Sequence, residues 1–459
     1  MAASDLNARP VPADVEAGLQ TLLFTGYSWL PYGAVVGVCF HSATSGRTWI
    51  EQVRDEVCFG PPRRTQPLQE AVQLALTAHG LRLVAPGTLE DGQLGEEFAD
   101  GMTGPASRAR LGDAGVRSPW RWSDRTFHAL MFVYAGKANA ATRLVDELTT
   151  GVSVVFHRAV HAPAHQREPF GFRDGIAQVR LPRAGQRNPS AVPAGELVLG
   201  LQRAELPAQD LSGVGRYGSF VVVRELDQDV ERFWRIWLER ADHDEERAIL
   251  LASKAVGRWP NGMPVRPDEV SEPTAVEADI QSLSFLQDAR GEGCPFGAHV
   301  RRANPRETLT GDAELSMRMV RQRQLMRRGR VYGAPPSVAA YPSALQPLMA
   351  DSRCSPSIDG AHGLLFVAIC ADLRGQFEFL QQNWLLAPKF ADLYGEIDPL
   401  LAPEEASTSL TIPTSRFSHI VGGLGGFVSV RAGGYALLLH RAGFDALLHG
   451  AGSRSSAVR

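Results

Sequence analysis

The sequence predicts an α+β protein built from two similar halves, each an antiparallel sheet with helices on one face. Two observations carry that prediction. A β-rich run followed directly by an amphipathic helix occurs four times, and a Pro- and Gly-rich stretch separates the second occurrence from the third. The chain of 459 residues is too long for one ordinary core. With 44% hydrophobic and 21% charged residues it has the composition of a folded globular protein.

The first unit is GAVVGVCF at 33–40, followed by a helical stretch through Trp49 and Val53. The second is TFHALMFVYA at 126–135, followed by Ala138–Thr149. In the third, GSFVVVREL at 218–226 leads into QDVERFWRIWLERA, where Val230, Phe233, Trp234, Trp237 and Leu238 recur with helical spacing. In the fourth, GLLFVAICADL at 363–373 leads into GQFEFLQQNWL, which places Phe377, Leu380 and Trp384 on one helix face. Two such units per half make a duplicated ferredoxin-like pattern. The stretch 180–215 reads as a long surface connection, 257–273 as an inserted loop, and FVSVRAGG with YALLLH as a closing hairpin near 427–440. The expected organisation is a disordered lead at 1–16, an N-terminal domain at 17–205, a C-terminal domain at 206–446 and a flexible tail at 447–459.

A net charge of -3 supplies no global field for attracting nucleic acid or an anionic membrane. The N-terminus lacks the basic and apolar regions of a secretory signal. GLLFVAIC at 363–370 is far too short to span a bilayer, so a buried strand is expected there. Five widely spaced cysteines with no CxxC indicate neither a zinc site nor a disulfide framework and suit a reducing, cytoplasmic setting. The glycine cluster at 422–426 follows no predicted strand and opens no predicted helix, and no GxxxxGK[ST] occurs, so nucleotide binding is disfavoured.

Three segments carry chemistry. In EPFGFRDGIAQ, residues 168–178, Asp174 sits between Gly171 and Gly175, which suits a tight turn or a carboxylate held at the edge of a pocket. In CPFGAHVRRANPRET, residues 294–308, His299 precedes Arg301, Arg302 and Arg306. Imidazole is a good iron ligand and guanidinium pairs with carboxylates, and a heme offers both an axial site and propionates. In the third segment, Arg318, Arg321, Arg323, Arg327, Arg328 and Arg330 crowd a basic stretch ending in RRGRVYG at 327–333. Most of these read as a solvated face, with one arginine turned inward where Gly329 ends a helix.

GFRDG at 171–175 has the GxxDG form, and with GAHVRRANPR at 297–306 and RRGRVYG at 327–333 it resembles the dye-decolorizing peroxidase family. LGD at 111–113, FEFLQQNWL at 377–385 and FVSVRAGGY at 427–435 extend the likeness over nearly the whole chain. The length resembles the larger, long-loop members.

The resemblance implies a pair of ferredoxin-like domains, with heme b held noncovalently between the sheet and helices of the C-terminal domain. It implies His299 as the ligand to the metal, Arg306 as a propionate partner with Arg301 or Arg302 assisting, and Gly175 among the cofactor-binding residues. Asp174 and Arg327 become the catalytic pair, and Leu364 and Phe366 walls of the distal pocket. Glu378 is the expected acceptor of the proximal imidazole N–H. The implied activity uses hydrogen peroxide to oxidise dyes, phenolics or other small aromatic reductants in one-electron steps through an oxyferryl porphyrin radical. A proton-shuttling aspartate predicts an acidic optimum. The other readings are a heme storage, delivery or sensing protein and a dedicated biosynthetic oxidase. Trp234, Trp237, Trp259, Tyr332, Tyr341 and Trp384 are the available electron-relay side chains, and the family's habits allow a homo-oligomer.

Overall fold

The structure is a computed structural model that describes residues 9–450 apart from 64, 90–91, 114–118, 163, 187, 189 and 351–360. The first half runs β1 (Tyr32–Cys39), helix Ala43–Arg54, β2 (Glu70–Leu76), β3 (Ala129–Ala135), helix Ala138–Leu148, β4 (Ser153–His161). Its strands lie in the order β2-β3-β1-β4, all antiparallel. That is the βαββαβ ferredoxin-like arrangement.

The second half repeats it with β5 (Ser219–Gln228), helix Val230–Arg240, a split second strand β6 (Met326–Arg327) and β7 (Arg330–Gly333), and β8 (His362–Cys370). A two-stranded ribbon, β9 (Thr408–Pro413) and β10 (Ser418–Leu424), precedes the last strand, β11 (Val428–Leu438). The expected hairpin near 427–440 is therefore one continuous strand, paired along its length with β5. Gly433 and Gly434 are accommodated inside it because Cβ atoms there would run into Met102 and Asp124. The glycines 422–426 likewise end a strand, β10, and turn into β11.

The two half-sheets join into one. The order is β5-β11-β2-β3-β1-β4-β7-β8-β6, and a further β5–β8 pairing closes eight strands on themselves. Closure removes the sheet edges that would otherwise invite association. Alternate residues feed two cores. Val35, Phe132, Tyr134, Val223, Leu365 and Val367 fill the inner one, while Val36, Met131, Val222 and Ala368 meet Trp49, Ile50, Leu144 and Phe377 on the helix-covered outer one. A third cluster packs Phe233, Trp234 and Trp237 against Phe170, Phe172 and Tyr341.

The ends are more ordered than expected. Val11 and Val15 are buried and a helix spans Ala13–Gly18, so the described chain is already packed before residue 17, with 1–8 outside the described residues. The last helix, Arg441–His449, buries Leu447, and 451–459 lie outside the described residues. The helical run Leu373–Leu385 is wound as π-helix on either side of Phe379, with Phe377, Leu380 and Trp384 all buried. No helix among the described residues is long and apolar enough to cross a membrane.

Candidate active site

Asp174 sits at the end of a tight hairpin. Arg167 bridges Arg173, the Asp174 amide donates to the Gln166 carbonyl at 2.7 Å, and Gly171 and Gly175 take φ of 96° and 77°. Both glycines therefore occupy left-handed backbone that a side chain would strain. The hairpin is fastened to the second half of the chain, where the Pro260 carbonyl accepts from the Arg173 amide at 2.9 Å and from Arg167 Nη1 at 2.6 Å. The glycine-rich turn thus carries its carboxylate to a place where the two halves meet.

Arg327 comes to the same place from strand β6. Its Nη1 lies 3.7 Å from Asp174 Oδ1, and its Nη2 donates to the Ile176 carbonyl at 2.8 Å. The register pairs Arg327 with Ala368, so Arg327 shares a sheet face with Leu364, Phe366 and Ala368, while Leu365 and Val367 point into the inner core. Leu364 and Phe366 are half-buried, and Phe366 stacks on Phe377 with centroids 6.1 Å apart. The arginine stretch differs from expectation. Its helix ends at Arg321, and Gly329 instead splits a strand, where a Cβ would press on the Leu365 carbonyl. Arg330 is buried among the carbonyls of Gly26, Tyr27 and Leu30, and Arg328 Nε donates to the Leu22 carbonyl.

His299 begins the short helix His299–Ala303, and its Nδ1 is 2.7 Å from Asp398 Oδ2. The expected partner, Glu378, is elsewhere. It is buried against Arg110 Nε and accepts from the Tyr435 hydroxyl at 2.9 Å, which leaves it no route to the imidazole. Asp398 is wholly buried and its other oxygen accepts from the Leu400 and Leu401 amides. Burial pushes the His299 pKa down, but the Asp398 charge and hydrogen bond outweigh it and leave the pKa raised; Arg327 and Glu168 act more weakly, in opposite directions. A third of the side chain is open although the residue lies deep in the fold, as expected of a group facing an internal cavity. Its Nε2 has no partner among the described residues.

The arginines after His299 divide sharply. Arg301 and Arg302 are fully buried and spent on structure. Arg301 donates to Asp288 and the Cys294 carbonyl and lies over the rings of Phe285 and Phe296. Arg302 donates to the carbonyls of Trp384, Ala387 and Glu396. Neither guanidinium can reach a ligand without giving up these bonds, which corrects the expectation that one assists Arg306. Arg306 is the opposite case. It adopts φ of 50°, its Nε is buried without a hydrogen bond as are those of Arg301 and Arg302, but its Nη groups too make no hydrogen bond among the described residues, and its nearest acid, Glu307, stands 3.6 Å away and already accepts from the Phe285 amide.

Two further arginines share this region. Arg258 is pushed down to about 10, first by burial and then by the charges of Arg327 and Arg306, with Cys294 opposing them. Arg321 is lowered by burial and by Arg306, and its guanidinium has no hydrogen bond or ion pair among the described residues. Gathering Arg258, Arg306, Arg321 and Arg327 with so few compensating acids is costly unless an anion is received there. Arg258 spends its Nη1 on the Gly262 and Ile280 carbonyls, but an imidazole with a free Nε2 near Arg306 and Arg321, whose guanidinium groups make no hydrogen bond among the described residues, fits a cofactor that carries both a metal and carboxylates, as heme does. Gly175 adds open space, since a Cβ there would meet nothing within 4 Å.

No family model matches the chain. The dye-decolorizing peroxidase AauDyP1 of Auricularia auricula-judae is 28% identical over 403 residues, covering 77% of this chain and 73% of the relative. The dye-decolorizing peroxidase msp1 of Mycetinis scorodonius is 28% identical over 270 residues, and that match spans half of the relative. The chain is a relative of the dye-decolorizing peroxidases. Solved structures agree on the fold. A DyP-type peroxidase from Anabaena superposes with a TM-score of 0.78 at 18% identity, covering 97% of this chain and 100% of that one. A dye-decolorizing peroxidase in complex with 2,6-dimethoxyphenol superposes with a TM-score of 0.76 at 21% identity, covering 95% and 99%. The two-domain α+β architecture of the dye-decolorizing peroxidases is therefore the architecture of this chain.

Asp398 was invisible from sequence because it lies 99 residues from His299, in an Asp-Pro pair that reads as a plain turn. Arg258 and Arg321 had no motif to mark them, although Arg321 belongs to the arginine-dense stretch.

Proposed function

We propose that the protein is a heme peroxidase that uses hydrogen peroxide to oxidise dyes, phenolics or related small aromatic reductants one electron at a time. The observation that carries the reading is the Arg327–Asp174 ion pair at 3.7 Å, held in the region that His299, Arg258 and Arg306 share. His299 Nε2 would bind the iron, with Asp398 fixing the imidazole and enriching it in electrons. Arg306, with Arg321, would take the propionates. The absence of CxxCH in the sequence supports noncovalent heme b, and the nearby thiol of Cys294, pushed up to about 12 mainly by burial, is unsuited to ligate a metal.

Heme, when bound, supplies the redox-active iron at which peroxide is reduced. The chain supplies the proton handling and the field. Heterolytic O–O cleavage requires a proton to leave one peroxide oxygen and arrive at the other, and the Asp174 carboxylate would accept and return it. Arg327, fixed to the Ile176 carbonyl, would use its remaining N–H groups to stabilise the negative charge that develops as the O–O bond breaks. Leu364 and Phe366 wall that side with apolar surface and limit water.

We also propose 17–205 and 206–446 as the two domains, and a cytoplasmic setting, which the free thiols Cys39, Cys58, Cys294 and Cys370 support. The test is peroxide-dependent oxidation of 2,6-dimethoxyphenol by the heme-loaded protein. Turnover lost on Asp174→Asn or Arg327→Ala supports the assignment, and heme binding without turnover in the unaltered protein would favour a heme carrier instead.

A further inference from the structure

The mechanism above leaves one acidic group unused in the same hairpin. Glu168 Oε1 accepts from the Phe172 amide at 3.0 Å, and Oε2 accepts from the Phe170 amide at 3.0 Å and from Gln228 Nε2 at 2.7 Å. Its own backbone closes the turn, with the Glu168 amide donating to the Phe172 carbonyl at 2.9 Å and its carbonyl accepting from the Gly171 amide at 2.8 Å. One side chain thus gathers the interior of the turn that precedes Asp174 and ties it to the end of β5.

We propose that Glu168 is the positioning residue for Asp174, a carboxylate template that fixes the FGFRDG turn and, through Gln228, anchors it to the barrel. The inference rests on the peroxidase reading of Asp174. Three donors aimed at two oxygens require an acceptor on both, which a carboxylate supplies and an amide does not. The neighbouring rings bear on the same segment from outside, since Tyr341 donates its hydroxyl to the Pro169 carbonyl at 2.5 Å and Trp234 Nε1 donates to the Phe170 carbonyl at 3.1 Å. Those contacts take the turn's carbonyls, as Arg167 does at Gly171, while Glu168 takes the Phe170 and Phe172 amides.

Glu168 also faces charge. Burial, the largest influence, raises its pKa to about 7, the three hydrogen bonds oppose that rise, and the Asp174 charge adds to it. Arg167 and Arg173 flank it on the hairpin but send their side chains to Gly171, Pro260, Gln166 and Glu277, and no arginine pairs with it among the described residues. Tyr341 and His299 feel its charge from the facing elements.

The experiment compares heme-loaded wild type, Glu168→Gln, Gln228→Ala, Asp174→Asn and the Glu168→Gln/Asp174→Asn double variant, in peroxide-dependent oxidation of 2,6-dimethoxyphenol and in amide hydrogen exchange. Glu168→Gln should lower kcat/KM for peroxide about 10- to 100-fold, leave KM for the phenol unchanged, and speed exchange at Phe170, Phe172 and Asp174. In the Asp174→Asn background it should cost less than about twofold, because the group it positions is gone. A wild-type kcat/KM and exchange pattern in Glu168→Gln, or a full multiplicative loss in the double variant, would overturn the proposal. If Glu168→Gln does not fold, Gln228→Ala decides: faster exchange in the turn with reduced kcat/KM supports the assignment, and no change in either overturns it. Wild type without peroxide turnover would defeat the peroxidase reading instead, and the exchange data would still settle whether Glu168 templates the turn.

Discussion

His299 Nδ1 lies 2.7 Å from a wholly buried oxygen acceptor, Asp398 Oδ2, whose partner oxygen is held by two backbone amides. An imidazole oriented in this way presents Nε2 with its lone pair forward and gains basicity from the carboxylate behind it. Replacing Asp398 by Asn keeps the shape and removes the charge. Heme affinity or turnover should fall about 10- to 100-fold, and the heme reduction potential should rise, as read by a hemin titration and a redox titration. An unchanged potential would mean that Asp398 only shapes the loop.

Arg327→Ala removes the cation facing Asp174 without touching the proximal side. Heme loading should be retained while kcat/KM for peroxide falls about 10²- to 10³-fold, measured by stopped-flow mixing. A loss of heme instead would place Arg327 among the anchoring groups.

Arg301 and Arg306, five residues apart, should behave in opposite ways. Arg301→Ala strands Asp288 and the Cys294 carbonyl in the interior and should cost about 3–5 kcal/mol of stability with or without heme. Arg306→Ala removes a guanidinium that makes no hydrogen bond among the described residues, so the heme-free melting temperature should stay put and hemin should bind more weakly. Thermal melts and hemin titrations on both variants check this.

Their sequence context does not separate these arginines. HVRRANPR shows four cation-capable positions in one run, and the backbone of the helix His299–Ala303 and of the turn Arg306–Thr308 after it decides which reach interior carbonyls and which are left without hydrogen bonds. The duplicated βαββαβ order was legible because strand runs and amphipathic helices alternate at regular distances. So was the Asp174 turn, because glycines with positive φ leave a mark in sequence. Closure of the two half-sheets, the single long β11 and the Asp398 contact were not, since each depends on pairing between residues remote along the chain. Glu378 misled because a glutamate opening a helix looks the same whether it faces a ligand or, as here, Arg110 and Tyr435.

Asp124 offers a pH test away from the cavity. Its Oδ2 accepts from the Met102 amide at 2.7 Å and the Tyr435 amide at 2.9 Å, its Oδ1 is buried without a partner, and burial raises its pKa to about 6 against those bonds. A carboxyl raised in the folded state contributes stability that is present below its unfolded pKa of about 4 and is lost as pH rises through about 6. The contribution is about 2–3 kcal/mol. Asp124→Asn keeps both acceptor bonds on one oxygen and removes the ionisation, so the decline in unfolding midpoint between those pH values should shrink in denaturant titrations.

The most direct test of the account is stopped-flow mixing of the heme-loaded protein with hydrogen peroxide, following the Soret band. The account predicts a rapid change of the band, reversed by 2,6-dimethoxyphenol with oxidation of the phenol, and slowed strongly in Asp174→Asn and Arg327→Ala. A Soret band that does not move over seconds in the unaltered protein would contradict it.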